Sequence, residues 1–232
     1  ALDLGPSTLG GTLSVTTTNG SITDSGAVSV VGNVTLNDVG QAGITLDQLQ
    51  ADANVILTSA GDTALTNDAA LNVQGTVTGT LGATASGGGI TDSAELNVSG
   101  NATFTSSTGT DVILDESANT FGGTVSFVGS GGDLGNVTIV DDTDLDLQAL
   151  TISGNLVATS GGVLTDSGSL VIGSTTSLTV SGANTLTLDE SGNDFSGAVS
   201  LSSGTGAVTL VDATALDLGP STLGGTLSVT TT

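Results

Sequence analysis

Three aspartate pairs show the most regular spacing of any ionisable groups in the chain. Asp24 and Asp47, Asp92 and Asp115, and Asp166 and Asp189 are each 23 residues apart. Two carboxylates at a fixed separation can hold a hard cation, shift one another's protonation, or divide the acid and base roles of glycoside hydrolysis. Hydroxyls are the only other chemically useful side chains in quantity, because the 232 residues include no Lys, Arg, His, Cys, Met, Trp or Tyr. That alphabet excludes thiolate nucleophiles, disulfides, zinc and iron–sulfur ligand sets, the usual histidine base, Schiff bases and a lysine-dependent phosphate site. A formal charge of −23 sets the chain against nucleic-acid backbones and anionic membrane surfaces, so neither is expected as a partner.

The segment Asp189-Glu190-Ser191-Gly192-Asn193-Asp194 places oxygen atoms at alternate positions, as a calcium ion with six to eight oxygen ligands requires. A polar corner explains it more simply: its counterpart Asp115 to Thr120 ends in Thr instead of an acid, and the first repeat replaces the segment altogether. Asp141, Asp142, Thr143 and Asp144 form the densest acidic cluster, and since side chains alternate along a strand it reads as a solvated face. Glycoside hydrolysis needs one unique carboxylate pair, whereas these recur with the repeat, and only four Phe are available to stack on sugars. The expectation is therefore no enzyme, with no catalytic residue, metal ligand or cofactor site assigned. Thr-rich strands such as Thr12 to Thr18 suggest the hydroxyl ranks that bind ice, but Ser, Ala and Val interrupt them. Asn-x-Ser/Thr sequons at Asn19, Asn33, Asn97, Asn101 and Asn136 are what chance yields where Ser and Thr are so common.

These groups are held by a repeat. The first eighteen residues, ALDLGPSTLGGTLSVTTT, recur unchanged as Ala215 to Thr232, which sets a tandem block of 214 residues (1–214) followed by the start of the next (215–232). Thr-Asp-Ser begins at Thr23, Thr91 and Thr165, dividing the block into inner units of 68, 74 and 72 residues. Each unit has three landmark rows: Leu2-Asp3-Leu4 and its counterparts Leu71-Asn72-Val73 and Leu145-Asp146-Leu147; Thr-Asp-Ser; and the row of Asp47, Asp115 and Asp189. The first unit lacks the Asn-x-Phe-x-Gly corner that the others carry as Asn119 to Gly123 and Asn193 to Gly197.

Between landmarks the pattern alternates with period two, which places Val28, Val30, Val34 and Leu36 inward, with Leu96, Val98, Ala102 and Phe104, and Leu170, Ile172, Thr176 and Leu178 as their counterparts. Gly32-Asn33 and Gly100-Asn101 read as corners needing positive φ or an Asn cap. No stretch keeps helical spacing for three turns, and no apolar run approaches the ~18 residues of a membrane span. Ala1 begins without a basic or apolar leader, so any export signal is expected outside these residues. Three rows per unit imply a single all-β parallel β-helix over residues 1–232, of about nine to ten coils, ~23–24 residues each, triangular in section. The two eighteen-residue copies are then expected to superimpose after a translation of ~43 Å along one axis plus a small rotation. One coil buries too few apolar side chains to offset its ordering, so coils depend on stacking, and an isolated block is expected to associate end to end.

The recurring LTLDESGNDFSGAVSLSSGTGAVTLVDATALDLGPSTLGGTLSV and NGSITDSGAVSV resemble the Gly/Thr/Asn-rich β-strand repeats of filamentous-haemagglutinin-like and other giant bacterial surface proteins. The resemblance spans the whole chain. It implies a right-handed parallel β-helix, exported to the cell surface and serving as the shaft of a secreted fibre, stalk or adhesin. The expected partners are neighbouring repeats and identical chains in a filament. The leading expectation is a structural shaft, and the alternative is an adhesin shaft that itself binds a surface or glycan. Secretion domains and receptor-binding tips of that family have no counterpart in these residues.

Overall fold

The computed structural model describes residues 1–232. The β-branched runs form thirty short strands and no helix. Pairing is parallel throughout, each strand bonding to one 18 to 25 residues further on, as in the column Leu2, Ile22, Ile44, Thr63 and Leu81. Two sheets of 14 and 13 strands carry almost all of it, and a third holds only Leu150–Ile152, Leu170–Ile172 and Asp194–Phe195. This is an all-β parallel solenoid of about eleven turns, and each unit has a third column of short strands beside the two long sheets: Ser7–Leu9, Val28–Val30 and residues 49–51; residues 75–77, Leu96–Val98 and Thr120–Phe121; and Leu150–Ile152, Leu170–Ile172 and Asp194–Phe195. No helix is long and apolar enough to cross a membrane.

The turns are shorter than the three landmark rows imply, about 20 residues each, because every unit contains a strand that those rows miss. In the first unit the landmark strands Leu2–Leu4, Ile22–Asp24 and Ile44–Ala51 lie in the 14-stranded sheet, while Leu13–Thr17, Val34–Asp38 and Asn54–Ser59 lie in the 13-stranded one. Thr63–Asn67 then adds a further half-turn on the 14-stranded side. Seven half-turns are an odd number, so the second unit starts on the other side. Its landmark strands Leu71–Val77, Ile90–Thr91 and Val112–Leu114 join the 13-stranded sheet, and Leu81–Ala85, Ala102–Ser107 and Thr124–Ser130 join the 14-stranded one. Val137–Asp141, the second seventh strand, reverses the assignment again, and Val208–Asp212 does so after the third unit.

The 214-residue block therefore spans an odd number of half-turns, and its two identical ends are not related by the expected translation with only a small rotation. Leu13–Thr17 lies in the 13-stranded sheet and its copy Leu227–Thr231 in the 14-stranded sheet. At ~4.8 Å per turn the two copies are separated by about 50 Å of rise and about half a rotation.

Alternation builds the interior as expected. All twelve residues assigned inward from the period-two pattern are buried, and the apolar ones among them belong to one core of 50 side chains that runs along the rod. Phe104 stacks on Phe127 one turn above, with ring centroids 5.7 Å apart, and meets Phe121 edge to face at 6.0 Å. The corner glycines serve a different purpose from the one expected. Gly32 and Gly100 do not have positive φ; a Cβ there would come within 2.8 Å of Gly11 O and 2.6 Å of Gly79 O respectively, so stacking of backbone on backbone is what demands glycine. Corner side chains also link successive turns. Asn136 N donates to Asp111 Oδ1 (2.7 Å), Asn155 N to Asn136 Oδ1 (2.9 Å), and Thr175 N to Asn155 Oδ1 (3.1 Å).

Candidate functional site: buried aspartates at the repeated turn

The strand after each Thr-Asp-Ser motif ends at a turn that must satisfy backbone donors pointing toward the interior. In the second unit Asp92 does so from an almost fully buried position, its Oδ1 accepting Asp115 N at 3.1 Å and its Oδ2 accepting Asn119 Nδ2 at 2.6 Å. The Asn119 side-chain oxygen in turn accepts Leu96 N at 2.7 Å. The third unit repeats this atom for atom: Asp166 accepts Asp189 N (3.0 Å) and Asn193 Nδ2 (2.6 Å), and Asn193 accepts Leu170 N (2.8 Å). Both asparagines are wholly buried. The Asn-x-Phe corner is therefore a clamp: its Asn locks the turn to the Asp one coil below, and its Phe, at Phe121 and Phe195, enters the core.

The 23-residue spacing brings the paired aspartates together, but not as facing carboxylates. Ile90 pairs with Val112 and Thr91 with Ile113, so Asp92 aligns with Leu114, and Asp115 falls one position later with its side chain in solvent. Its backbone, not its carboxylate, meets Asp92. Burial raises the Asp92 and Asp166 carboxyls above their usual range; the hydrogen bonds from Asn119, Asn193 and the backbone oppose this, and repulsion from Asp115 or Asp189 adds only a minor push. The carboxyls are thus raised chiefly by desolvation and only slightly by the mutual repulsion that paired aspartates can exert.

The calcium-like segment does not converge on a point. Asn193 turns into the core and is committed to Asp166 and Leu170, whereas Asp189, Glu190, Ser191 and Gly192 face solvent. No three acidic side chains gather closely enough to hold a metal ion. The acidic cluster is also not the uniformly solvated face expected. Asp142 and Asp144 are exposed, but Asp141 is completely buried at the end of Val137–Asp141, with Oδ1 accepting Thr143 N (2.9 Å), Thr143 Oγ1 (2.8 Å) and Phe121 N (3.3 Å). Its Oδ2 is buried without a hydrogen-bond partner, and burial raises this carboxyl as well. Asp212, at the same place in the third unit, is equally buried and its Oδ2 is likewise unpartnered. The sequence signal for these two was the recurring strand Val-Thr-Ile-Val-Asp and Val-Thr-Leu-Val-Asp at 137–141 and 208–212, whose final Asp keeps the inward phase of the alternation.

The surface offers shallow grooves only. One of about 430 Å³ between turns is lined by Asn101, Thr124, Asp144, Asp146 and Thr165 among others. In chemical terms the buried acids Asp92 and Asp166 serve to join successive turns.

A parallel solenoid whose units each tie one coil to the next through an aspartate at the same turn is a repeat protein in which one coil supports the next. The chain belongs to the family described as "Repeats of unknown function (DUF5649)", whose model matches residues 1–59, 60–128, 134–202 and 205–232. No curated protein and no solved structure matches it.

Proposed function

We propose that the chain is a shaft: a non-catalytic structural repeat of a secreted extracellular or cell-surface fibre, bacterial in origin, whose length is set by the number of blocks. The observation that carries this reading is the continuity of the ladder, with parallel pairing from Leu2–Leu4 to Leu227–Thr231 and one unbroken core, so that each added block extends the same rod. The resemblance of the recurring motifs to filamentous-haemagglutinin-like repeats supports export and a surface setting. The alternation of sides adds a property useful in a fibre. Whatever one unit shows on one side, the next shows on the opposite side, so the rod has no single sticky face. Its partners are its own neighbouring repeats and identical chains.

Proteins of one, two and three blocks test the reading. Small-angle scattering and electron microscopy should show rods of constant width that lengthen by about 50 Å per 214 residues. Growth in width, or blocks folding side by side, would refute the shaft.

A further inference from the structure

We infer that copies of this chain stack side by side, parallel and in register, with the 14-stranded side of one against the 13-stranded side of the next. The inference deepens the shaft reading and rests on it, since it needs rods, and it holds for any number of blocks. Its basis is the distribution of charge. The chain carries 23 carboxylates, yet none occupies an outward position on the strands opposite the landmarks. In the second unit those strands lie in the 14-stranded sheet and turn Thr84, Thr103, Thr105, Ser126 and Val128 outward. In the third unit they lie in the 13-stranded sheet and turn Val157, Thr159, Ser177, Thr179, Ser200 and Ser202 outward. Val128 and Val157 are 44% and 37% exposed, so both neutral faces also offer an aliphatic side chain to a neighbour.

The exposed acids follow the landmark strands on the other side of the same turns. Glu95 and Asp115 come after Ile90–Thr91 and Val112–Leu114 of the 13-stranded sheet, and Asp189 and Glu190 come after Leu186–Leu188 of the 14-stranded sheet. The first unit matches the third, with Thr35, Ile56 and Thr58 outward on the 13-stranded side and exposed Asp47 in Ile44–Ala51 on the 14-stranded side. One side of the rod therefore runs acidic, neutral, acidic, and the opposite side runs neutral, acidic, neutral. Two rods related by a sideways shift alone match at every unit, because each acidic face meets a neutral one whose hydroxyls can donate to its carboxylates. Pairing two like sides in register, or sliding the shifted rod along by one unit, would set acid against acid. One side of a block measures about 50 Å by about 16 Å, so it offers about 800 Å², one partner's share of an interface of standard size. The contact joins two different surfaces and does not close, so its product is a ribbon. A formal charge of −23 per chain opposes the approach of two rods, and salt that screens this charge promotes it.

The experiment follows the 232-residue chain by electron microscopy and small-angle scattering as sodium chloride is raised at neutral pH. At low salt, the condition for the shaft test, single rods are expected; as salt rises they should broaden into ribbons of parallel rods with level ends. Thr103→Glu with Ser177→Glu puts two charges on neutral faces, opposite the neighbour's acids, and should abolish the ribbons. Thr91→Glu with Thr187→Glu adds the same charge on the acidic sides, opposite the neighbour's hydroxyls, and should leave ribbons in place. Thermal melts check that each variant folds. Reversed charge at the first pair of positions, Thr103→Lys with Ser177→Lys, should bring ribbons on at lower salt than in the wild type. Rods that stay single at every salt concentration overturn the inference and leave the shaft standing, whereas particles that are not rods at low salt end both readings. The inference also falls if both glutamate variants lose ribbons alike, since net charge alone would then govern association. Rods that stay single and instead pellet with insoluble cellulose would give the neutral face to a glycan and overturn it too.

Discussion

The first unit and its two successors hold the same turn by different means. In the first, Asp24 is only partly buried and its two oxygens accept the backbone N–H groups of Asp47 (3.1 Å) and Gln48 (2.9 Å), with no asparagine involved. In the second and third, the inserted Asn-x-Phe corner places Asn119 and Asn193 in the interior and lowers Asp92 and Asp166 into a nearly dry site. At the seventh half-turn the contrast runs the other way. Asn67 of the first unit is fully satisfied: its Oδ1 accepts Ala51 N (2.7 Å), and its Nδ2 donates to Ala51 O (3.1 Å) and Ala70 O (2.8 Å). Asp141 and Asp212 take that place in the later units, each with one oxygen left unpartnered. A solenoid can therefore exchange one solution for another without losing its coil, provided the backbone donors at the corner are met.

The largest difference should appear on removing the clamp. Asn193→Ala leaves Asp166 Oδ2 and Leu170 N without their partners in a buried site and opens a small cavity. A loss of about 3 kcal/mol is expected, more than double that of Asp24→Ala in the half-exposed first unit. Chemical denaturation of the two variants makes the comparison, and equal losses would mean that the asparagine corner is decoration.

The sequence showed most of the frame and part of the site, for identifiable reasons. Alternation marked the inward residues, since Val28, Val30, Leu96 and Phe104 each belong to a run of strict period two. The turn count was obscured because Thr63–Asn67, Val137–Asp141 and Val208–Asp212 share no landmark with the rows that precede them, so an odd half-turn passed as a long corner. The clamp was only half visible. The 23-residue spacing of Asp92 and Asp115 linked the correct turns, but a one-residue offset, set by the pairing of Thr91 with Ile113, decides whether carboxylate meets carboxylate or backbone.

Next in size are exchanges at the seventh half-turn. Asp141→Asn should supply the kind of side-chain donor that Asn67 uses in the first unit, and should stabilise the chain by about 1–3 kcal/mol at neutral pH. Asn67→Asp should cost a similar amount. If Asp141→Asn is destabilising in thermal melts, the unpartnered oxygen does not act as an acceptor in need of a proton.

The pH dependence separates the same regions on a smaller scale. Burial raises Asp92, Asp141 and Asp166 above the ordinary 3.8, so the folded chain holds these protons more tightly than the unfolded chain. Stability from these groups is fully present below that ordinary value and is lost as pH rises through each raised value; between the two, lowering the pH stabilises. The melting midpoint should rise as pH falls from 7 toward 4, with a smaller rise in Asp141→Asn. Asp92, Asp141 and Asp166 all lie in the second and third units, so a protein made only of first units should lack most of the effect. A midpoint that falls steadily over this range in the wild type would mean that these carboxylates are better satisfied ionised than protonated.

The smallest expected effect decides between the two causes of that slope. If repulsion across the 23-residue spacing raises Asp92 and Asp166, neutralising the outer partner by Asp115→Asn or Asp189→Asn should flatten the pH dependence and stabilise the chain. In the structure those side chains are exposed, only their backbone N–H groups touch the inner carboxylates, and their repulsion is a minor contribution beside desolvation. Two unit charges ~4 Å apart in water interact by only about 1 kcal/mol, and physiological salt screens charges in solvent further. Each substitution should therefore change stability by less than about 0.5 kcal/mol and leave the pH slope standing. Millimolar calcium should likewise shift the midpoint little, since the acid side chains that would share the ion point apart. Loss of the slope in Asp115→Asn with Asp189→Asn would transfer the cause from burial to charge pairing, and would require the one-residue offset between Asp92 and Asp115 to be abandoned.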